Sequence, residues 1–449
     1  MPRAERFAGF VLRTGGLYLL LAVAYGAYHF GASLGAGRSV MVLGIPLVVA
    51  ATLLVASKMA GSVQVTLVTM IVPVALAVVA AELMLTVPDR QELDLMGTRV
   101  VWRDNRATAV SGLRAKGIRA YPFLPPKEFD YGDSPIAGVR RHERFPIVPL
   151  GGISRAVTLL CNESGTDVIY ESDERGFNNP PGIWSDSIDV ALVGDSFVHG
   201  ECVAPGRQLA ALIRRAIPRT LNVGVAGAGP LSELAAIREY VREKRPHTVV
   251  WFFYEGNDME DLAAEALAPM ARYEDSTFTQ GLSARGREID SALARYGDSV
   301  IAAGPRRFTT QEKLRRVLLL RGLRTALSLD ASERPATPRH DYDRLGSIFR
   351  IVKGEVESWG GRLHFVYLPE RRRYDRRMAT SLGEEHDPAA VHREVMRRVR
   401  AANIPVTDVA AVFSGHADPL SFWIWRRSHY SEDGYRIVAD AVVADIQRP

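Results

Sequence analysis

Cysteine is scarce in this chain: Cys161 and Cys202 are the only two among 449 residues. Two cysteines allow at most one intramolecular disulfide. A domain outside the cytoplasm can hold such a bond, and the sequence leaves open whether the two residues meet.

The sequence also lacks a recognisable metal-binding pattern. Its ten histidines include no HExxH motif and no paired spacing. We therefore expect no metal ion and no other cofactor.

A strong charge of one sign is absent as well. Fifty-six Lys and Arg residues stand against 51 Asp and Glu residues, giving a net charge of +5. No basic patch interleaved with aromatic residues forms a recognisable nucleic-acid module. Nucleic acid is therefore not an expected partner, and the sequence does not identify a protein partner.

Long hydrophobic runs are present, and they are confined to the N-terminal region. Residues 10–30, 40–57 and 63–87 are three apolar runs, each close to the ~20 residues that a helix needs to cross a bilayer core. We predict a membrane anchor of three transmembrane helices within residues 1–88. The first run is not interpreted as a cleaved signal, because two further apolar runs follow it at once.

The charges around these runs predict an orientation. Arg3, Arg6 and Arg13 precede the first run, whereas PDRQELD follows the third. The positive-inside rule places the N-terminus in the cytoplasm. Three crossings of a bacterial inner membrane then place the rest of the chain in the periplasm. Glu82 lies near the end of the third run, where a polar side chain can reach the membrane surface.

Residues 89–187 are predicted to form a linker and a β-hairpin region packed on a larger domain. The segments AVTLLCNE and VIYESDE alternate polar and apolar residues and are separated by SGTD. Two such segments around a Gly-containing turn are typical of a hairpin.

The alternating pattern of residues 188–449 is typical of an α/β domain. Short apolar strands alternate with helical segments, which predicts βαβ units and a doubly wound parallel sheet. A stretch at about 259–345 shows helical segments without strands and is predicted to be an insertion. The five predicted strands are 188–193, 220–225, 248–254, 362–368 and 405–409.

The triplet Gly-Asp-Ser occurs three times, and its flanks differ. Pro135 directly follows Ser134, which indicates a turn. Ser299 follows Gly297, which resembles a helix stop, so we expect Ser299 in a loop. Only Ser196 follows a buried strand and precedes a helix, where ligands of open α/β sheets bind. A purely helix-capping serine is the alternative interpretation.

Other residues converge on the same end of the predicted sheet. Gly227 follows the second strand and offers a bare backbone N–H. Asn257 follows the third strand, and its side-chain amide can donate to a developing oxyanion. His429 precedes the last predicted helix and is available as a general base.

These four blocks, GDSF, NVGVAG, GND and HYSEDGY, resemble those of the SGNH hydrolase superfamily, also called GDSL esterases. The sequence around these blocks further resembles that of membrane-anchored bacterial members. The resemblance implies a flavodoxin-like, three-layer α/β/α domain with a five-stranded parallel sheet. It also implies Ser196 as nucleophile, Gly227 and Asn257 as oxyanion donors, and His429 as base.

The chain departs from the family pattern at two positions. Arg426 stands three residues before the histidine, where family members commonly carry an Asp that orients the imidazole. Asp418 is the first replacement that we consider and Asp408 the second, and a Ser196–His429 dyad is equally open. Glu255 replaces the first glycine of the usual Gly-x-Asn-Asp block, and pairing with Arg426 is one interpretation of it.

Three neighbours of these residues are expected to be structural. Asp195 is interpreted as a local turn former, Asp258 as a partner of the nucleophile loop, and His199 as a wall residue. Arginines at 371–373, 376–377 and 426–427 suggest a positive rim for an anionic glycan. A solvated loop, or contact with anionic lipid, is the alternative for the 371–377 cluster.

The sequence thus predicts a serine esterase that acts through an acyl-serine intermediate on an ester-bearing substrate. O-acetyl groups of an envelope or exported glycan are the substrate that the predicted location suggests. An O-acyltransferase that modifies a polysaccharide is the first alternative. A catalytically inactive binding or assembly module with the same fold is the second.

Overall fold

The computed structural model describes residues 2–30, 43–86, 106–130, 147–163, 165–303, 309–318, 320–326, 340–375, 387–424 and 429–448. Ser134, Arg376, Arg377, Arg426 and Arg427 lie outside these ranges.

The helices of the described residues are α1 Arg3–Phe30, α2 Ile45–Ala56, α3 Gly61–Thr86, α4 Arg106–Ala115, α5 Lys127–Asp130, α6 Ser196–His199, α7 Leu209–Ala216, α8 Pro230–Ala236, α9 Arg242–Lys244, α10 Asp258–Glu265, α11 Gly286–Ala303, α12 Thr310–Leu318, α13 Arg321–Ala326, α14 Tyr342–Ser358, α15 Pro388–Ala401, α16 Val409–Ser414 and α17 Glu432–Ile446. A π-helical stretch, Ile237–Val241, joins α8 to α9. The strands are β1 Ala120–Pro122, β2 Val157–Cys161, β3 Val168–Glu171, β4 Val190–Val193, β5 Thr220–Asn222, β6 Thr248–Tyr254, β7 Arg362–Leu368 and β8 Val406–Asp408.

The chain divides into two compact units. The first comprises Met1–Val100 together with Arg307–Ala336, and the second comprises Val101–Arg306 with Thr337–Pro449. The sequence predicted an N-terminal anchor and a separate α/β domain. It did not predict that part of the helical insertion belongs with the N-terminal helices.

The N-terminal part of the first unit consists of apolar helices. Arg3–Tyr28 and Gly61–Leu85 are long and apolar enough to cross a membrane. The second apolar run forms the 12-residue helix α2 in the described part of the chain. Two of the three predicted spans therefore have the required length in these residues, and the number of crossings stays a prediction.

Two features hold the first unit together. A side chain at Gly16 would place its Cβ 2.8 Å from Leu54 Cγ, so the glycine allows α1 to approach α2 closely. Glu82 of α3 is fully buried, and its carboxylate accepts the backbone N–H groups of Gly322 and Leu323 at 2.8 and 2.7 Å. Glu82 thus satisfies backbone donors in the first turn of α13, which have no partner within their own helix.

The second unit is centred on a five-stranded sheet in the order β5-β4-β6-β7-β8. All neighbouring strands are parallel. The predicted five strands and the flavodoxin-like order are confirmed, and so is the helical insertion between β6 and β7.

Helices cover both faces of this sheet. In β6, Val249, Trp251 and Phe253 belong to one core, which includes residues of α8, α14 and α15. Val250 and Phe252 belong to the other core, which includes residues of α7, α16 and α17. Burial on both faces explains why the strands are continuous apolar runs rather than alternating ones.

A second, three-stranded sheet lies in the region predicted as linker and hairpin. Strands β2 and β3 form the predicted antiparallel hairpin. Strand β1 pairs parallel to β2, with Ala120 opposite Val157. The linker therefore contributes a strand and the helices α4 and α5, which its weak periodicity did not predict.

Candidate active site

Ser196 follows strand β4 by a two-residue turn and takes the first position of α6. Asp195 caps this helix, with its Oδ1 accepting the N–H of Phe197 at 3.0 Å. The Ser196 hydroxyl is 3.4 Å from Asp195 Oδ2. Asp195 therefore holds the turn, as the sequence predicted, and leaves the Ser196 hydroxyl beside the carboxyl end of the sheet.

His429 comes from the C-terminal part of the sequence and lies next to Ser196 in the fold. Its Nε2 lies 2.8 Å from Ser196 Oγ, although 233 positions separate the two residues. An antiparallel bridge between Trp423 and Tyr430 holds the segment, and the hydroxyl of Tyr430 donates to Pro369 O at 2.7 Å. The predicted pairing of Ser196 with His429 is thus present in the structure.

Glu163 occupies the other side of the imidazole. Its Oε1 lies 2.9 Å from Nδ1 of His429, and its Oε2 accepts the backbone N–H of His429 at 3.1 Å. Glu163 lies in the turn between β2 and β3, outside the parallel sheet. Two contacts from one carboxylate fix both the position of His429 and the plane of its ring.

Asp418 and Asp408 do not have this role. Asp418 is exposed and precedes a short 3-10 helix, and its backbone oxygen accepts the Ser421 hydroxyl at 2.7 Å. Asp408 pairs with His392 at 2.9 Å and caps α16. Our prediction of Asp418 as the orienting residue is corrected to Glu163, because the hairpin, and not the segment before His429, delivers the carboxylate.

A disulfide joins Cys161 to Cys202, with the Cα atoms 5.9 Å apart. Cys161 ends β2, two residues before Glu163. Cys202 lies just beyond α6. The bond therefore ties the hairpin that carries Glu163 to the loop that follows Ser196.

Glu201 brings a second carboxylate to His429. Its Oε2 is 3.2 Å from Nε2, the same nitrogen that faces Ser196. The backbone N–H of Glu201 donates to Ser196 O at 3.1 Å, and the hydroxyl of Tyr435 donates to Glu201 O. Burial raises the pKa of the Glu201 carboxyl, and the Glu163 charge raises it further, against the lowering effect of His429.

The carboxylates dominate the electrostatics of His429. Burial alone would lower the pKa of the imidazole. Glu163, Glu201 and Asp195 outweigh that effect and raise the pKa to about 9. The imidazolium form is therefore stabilised strongly, as in a base that must hold a proton during the reaction.

His199 supports the turn at Gly227 through a hydrogen bond to the backbone of the preceding residue. Gly227 adopts a left-handed backbone with φ of 77°, which favours glycine. Nδ1 of His199 accepts the N–H of the preceding residue, Ala226, at 3.1 Å. Its Nε2 lies 2.9 Å from the Tyr170 hydroxyl. Burial lowers the pKa of His199 to about 3, so the wall residue that we predicted is a neutral support for the Gly227 turn.

Asn257 ends the loop after β6 and precedes α10. Its Nδ2 donates to Asp261 Oδ2 at 2.9 Å. Asp258 accepts the backbone N–H of Tyr254 at 2.7 Å, so this hydrogen bond holds its own loop after β6. The sequence had predicted a partner of the nucleophile loop instead. Ser196, Gly227 and Asn257 thus follow three adjacent strands, β4, β5 and β6, at the point where the strand order reverses.

The predicted positive rim is largely neutralised in the described residues. Arg373 pairs with Glu255, and Arg372 pairs with Glu370 at 2.6 Å. Arg371 donates to Leu420 O at 2.8 Å. Glu255 also accepts the Tyr367 hydroxyl at 2.6 Å, so this glutamate belongs to a buried structural network.

Possible metal ligands occur together at one place in the described residues. Glu163, Cys202 and His429 each offer one atom within 4.8 Å of the others. The sulfur of Cys202 is in the disulfide, and His429 is paired with Glu163. Cys202 is therefore bonded to Cys161, while Glu163 and His429 are hydrogen-bonded to each other.

The third Gly-Asp-Ser triplet is helical. Ser299 lies inside α11, and its hydroxyl donates to Tyr296 O at 2.6 Å. The predicted loop at Ser299 is wrong, because α11 continues through Gly297 to Ala303.

Sequence reasoning missed both glutamates beside His429. Glu163 stands two residues after Cys161, and Glu201 directly precedes Cys202. Their position next to the only two cysteines is the one signal that connects them in the sequence.

No protein-family model and no curated protein matches the chain. Among solved structures, the chain is similar to a lipase/acylhydrolase from Enterococcus faecalis, with 14% identity over 58% of this chain and 95% of that one, and a TM-score of 0.34. It is also similar to the acetyl xylan esterase AlAXEase, with 12% identity over 57% and 98% of the two chains and a TM-score of 0.32. A third is an acetyl-xylooligosaccharide esterase from Geobacillus, with 13% identity over 58% and 94% and a TM-score of 0.31.

Proposed function

We propose that this protein is a serine esterase in which Ser196 is the nucleophile and His429 the general base. The observation that carries the proposal is the continuous contact from Ser196 Oγ to His429 Nε2 at 2.8 Å and from His429 Nδ1 to Glu163 at 2.9 Å. A nucleophile, a base and a carboxylate that orients the base are the parts of a serine hydrolase triad. Glu163 acts through His429 and is a positioning residue.

The reaction proceeds in two halves. Ser196 Oγ attacks the ester carbonyl carbon, and its proton moves to His429 Nε2. The bond from the carbonyl carbon to the alcohol oxygen then breaks, and the same proton passes to the leaving alcohol. Water attacks the acyl-serine, gives a proton to His429, and releases the acid as Ser196 recovers its hydrogen.

The negative oxygen of the tetrahedral intermediate requires donors. In this proposal they are the backbone N–H groups of Ser196 and Gly227 and the side-chain amide of Asn257. The N-terminus of a helix favours negative charge, and Ser196 begins α6. His199 contributes indirectly by accepting the N–H of Ala226 and fixing the Gly227 turn.

The location that we propose is a bacterial membrane, with the α/β domain on the periplasmic side. The apolar helices α1 and α3 and the arginines at 3, 6 and 13 support an anchored protein with a cytoplasmic N-terminus. The disulfide supports an oxidising compartment for the α/β domain. In that setting, O-acetyl groups of an envelope or exported glycan are the proposed substrate.

Covalent labelling tests the proposal. The full chain in detergent is treated with a fluorophosphonate, and the adduct is located by peptide mass spectrometry. We expect one adduct per chain on Ser196, and its loss in Ser196→Ala and in His429→Ala. Ser299→Ala is the matched control and should label like the wild type. A folded protein that remains unlabelled would favour a binding module without esterase activity.

A further inference from the structure

Glu201 lies beside the nitrogen of His429 that faces Ser196. Its carboxylate is 3.2 Å from Nε2 of His429, and Nε2 is the atom that returns the proton to the leaving alcohol oxygen. The side chain of Glu201 is 15% exposed and that of His429 is 17% exposed. Both side chains are therefore partly accessible close to the reacting nitrogen.

The charges around Glu201 are mostly negative. His429, Glu163, Arg106 and Asp195 are the charged groups that act on its carboxyl. In the reactive form His429 is neutral, so Arg106 is then the single positive charge of this set against the carboxylates of Glu163 and Asp195, to which Glu201 adds its own. The two carboxylate oxygens of Glu163 contact Nδ1 and the backbone N–H of His429. Nδ1 is on the opposite side of the ring from Nε2.

The arginines near the carboxyl end of β7 do not reverse this charge in the described residues. Arg372 and Arg373 are paired with Glu370 and Glu255, and Arg371 lies 4.0 Å from Asp375. The anionic glycan that the arginine-rich sequence suggested is therefore the less favourable alcohol at this position.

We propose that Glu201 forms a leaving-group subsite that selects esters whose alcohol portion carries a positive charge, such as the protonated amine of an amino sugar. The proposal rests on the proposed esterase function and names the substrate class of that same site. A carboxylate within a few ångströms attracts such a cation and repels an anion in the same place. Specificity then includes rejection of the wrong charge as well as attraction of the right one.

Three acetate esters of similar size test the subsite on the full chain in neutral detergent. The probes are acetylcholine, its uncharged analogue 3,3-dimethylbutyl acetate, and 3-acetoxypropane-1-sulfonate. We expect kcat/KM to fall in that order, with a cation-to-anion ratio on the order of 10- to 100-fold. The ratio should shrink as salt is added, because an accessible charge is screened.

Variants assign the preference to Glu201. In Glu201→Gln the cation-to-anion ratio should fall to about 3-fold or less, whereas Glu201→Asp should keep most of it. Glu171→Gln removes an exposed carboxylate from β3 and is the control for net charge. It should leave the ratio unchanged.

The outcomes separate the subsite from the esterase. Hydrolysis of the uncharged ester that depends on Ser196 but shows no charge preference would overturn the subsite alone. A preference that persists in Glu201→Gln would also overturn it. Failure to hydrolyse all three esters would overturn the esterase and the subsite together. Should Glu201→Gln fail to fold, Glu201→Ala takes its place, and a charge ratio that stays at the wild-type value in that variant would overturn the subsite.

Discussion

At the scale of single residues, the proposed base His429 has three acidic neighbours. Glu163, Glu201 and Asp195 raise its pKa to about 9, so the neutral form that accepts the serine proton grows as pH rises through that value. We therefore expect kcat/KM to increase with pH through the range around 9.

Glu163→Gln removes the strongest charge that holds a proton on His429. The midpoint of the pH profile should move to lower pH, and the plateau rate should fall roughly 10- to 10³-fold because the ring is oriented less well. The measurement is kcat/KM for an uncharged ester from pH 6 to 10. Glu163→Asp should recover part of the rate. An unchanged midpoint would show that Glu163 does not act on the base.

Asn257 is the residue for which a transition-state role is expected. In the free protein its amide donates to Asp261 at 2.9 Å. An oxyanion donor contributes about 3 kcal/mol to the transition state, so Asn257→Ala should lower kcat by roughly 10²- to 10³-fold with little change in KM. Steady-state kinetics provide the measurement, and near wild-type turnover in the purified variant would refute the assignment.

At the scale of elements, the β2–β3 hairpin contributes Glu163 to the candidate active site. The Cys161–Cys202 bond connects this hairpin to the loop after α6, and Glu163 and Glu201 flank the two cysteines. The hairpin belongs to a three-stranded sheet of its own, so the parallel sheet does not position Glu163. The disulfide is a covalent link between the hairpin and the loop after α6, and we expect it to help position Glu163.

Cys161→Ser with Cys202→Ser should lower both stability and activity. Loop closure over a sequence separation of 41 corresponds to about 4 kcal/mol in the chain-entropy model. We expect a lower thermal midpoint and a fall in kcat toward the level of Glu163→Gln. Circular dichroism and kinetics on the full chain measure the two effects.

A combined variant tests the mechanism of that fall. If the disulfide acts by positioning Glu163, then removing it in a Glu163→Gln background should change kcat little further. Two independent, multiplicative losses would instead indicate that the bond supports another part of the site.

At the scale of the whole molecule, the chain returns to its N-terminal helices after forming much of the α/β unit. Residues Arg307–Ala336 belong to the same compact unit as Met1–Val100. Within that unit, Glu82 of α3 receives two backbone N–H groups from α13. A buried carboxylate in an apolar helix is costly unless such partners satisfy it.

Glu82→Ala should loosen the segment that Glu82 holds. The amides of Gly322 and Leu323 lose their acceptor, so we expect their hydrogen exchange to accelerate roughly tenfold or more. Hydrogen exchange mass spectrometry in nanodiscs provides the measurement. Thr69→Ala changes an exposed residue of the same helix and is the control. Equal exchange in the two variants would show that Glu82 does not hold α13.

The sequence by itself determined the parallel sheet, the hairpin, and the residues that follow β4, β5 and β6. These features are local, because apolar runs, turn residues and strand ends are properties of short segments. The same reasoning identified Ser196, Gly227, Asn257 and His429 as candidates, since each stands at a recognisable boundary of an element.

Only the tertiary structure decided which carboxylates meet His429. Glu163 follows a strand of the three-stranded sheet, whereas Ser196 follows a strand of the parallel sheet. Glu163 is also 266 positions from His429 along the chain. Asp418 is closer along the chain, yet its side chain is exposed. The arginines after β7 suggested a rim of unpaired positive charge. In the fold, Arg372 and Arg373 pair with the buried carboxylates of Glu370 and Glu255. Contacts of this kind depend on how distant segments pack, and neither periodicity nor motif spacing carries that information.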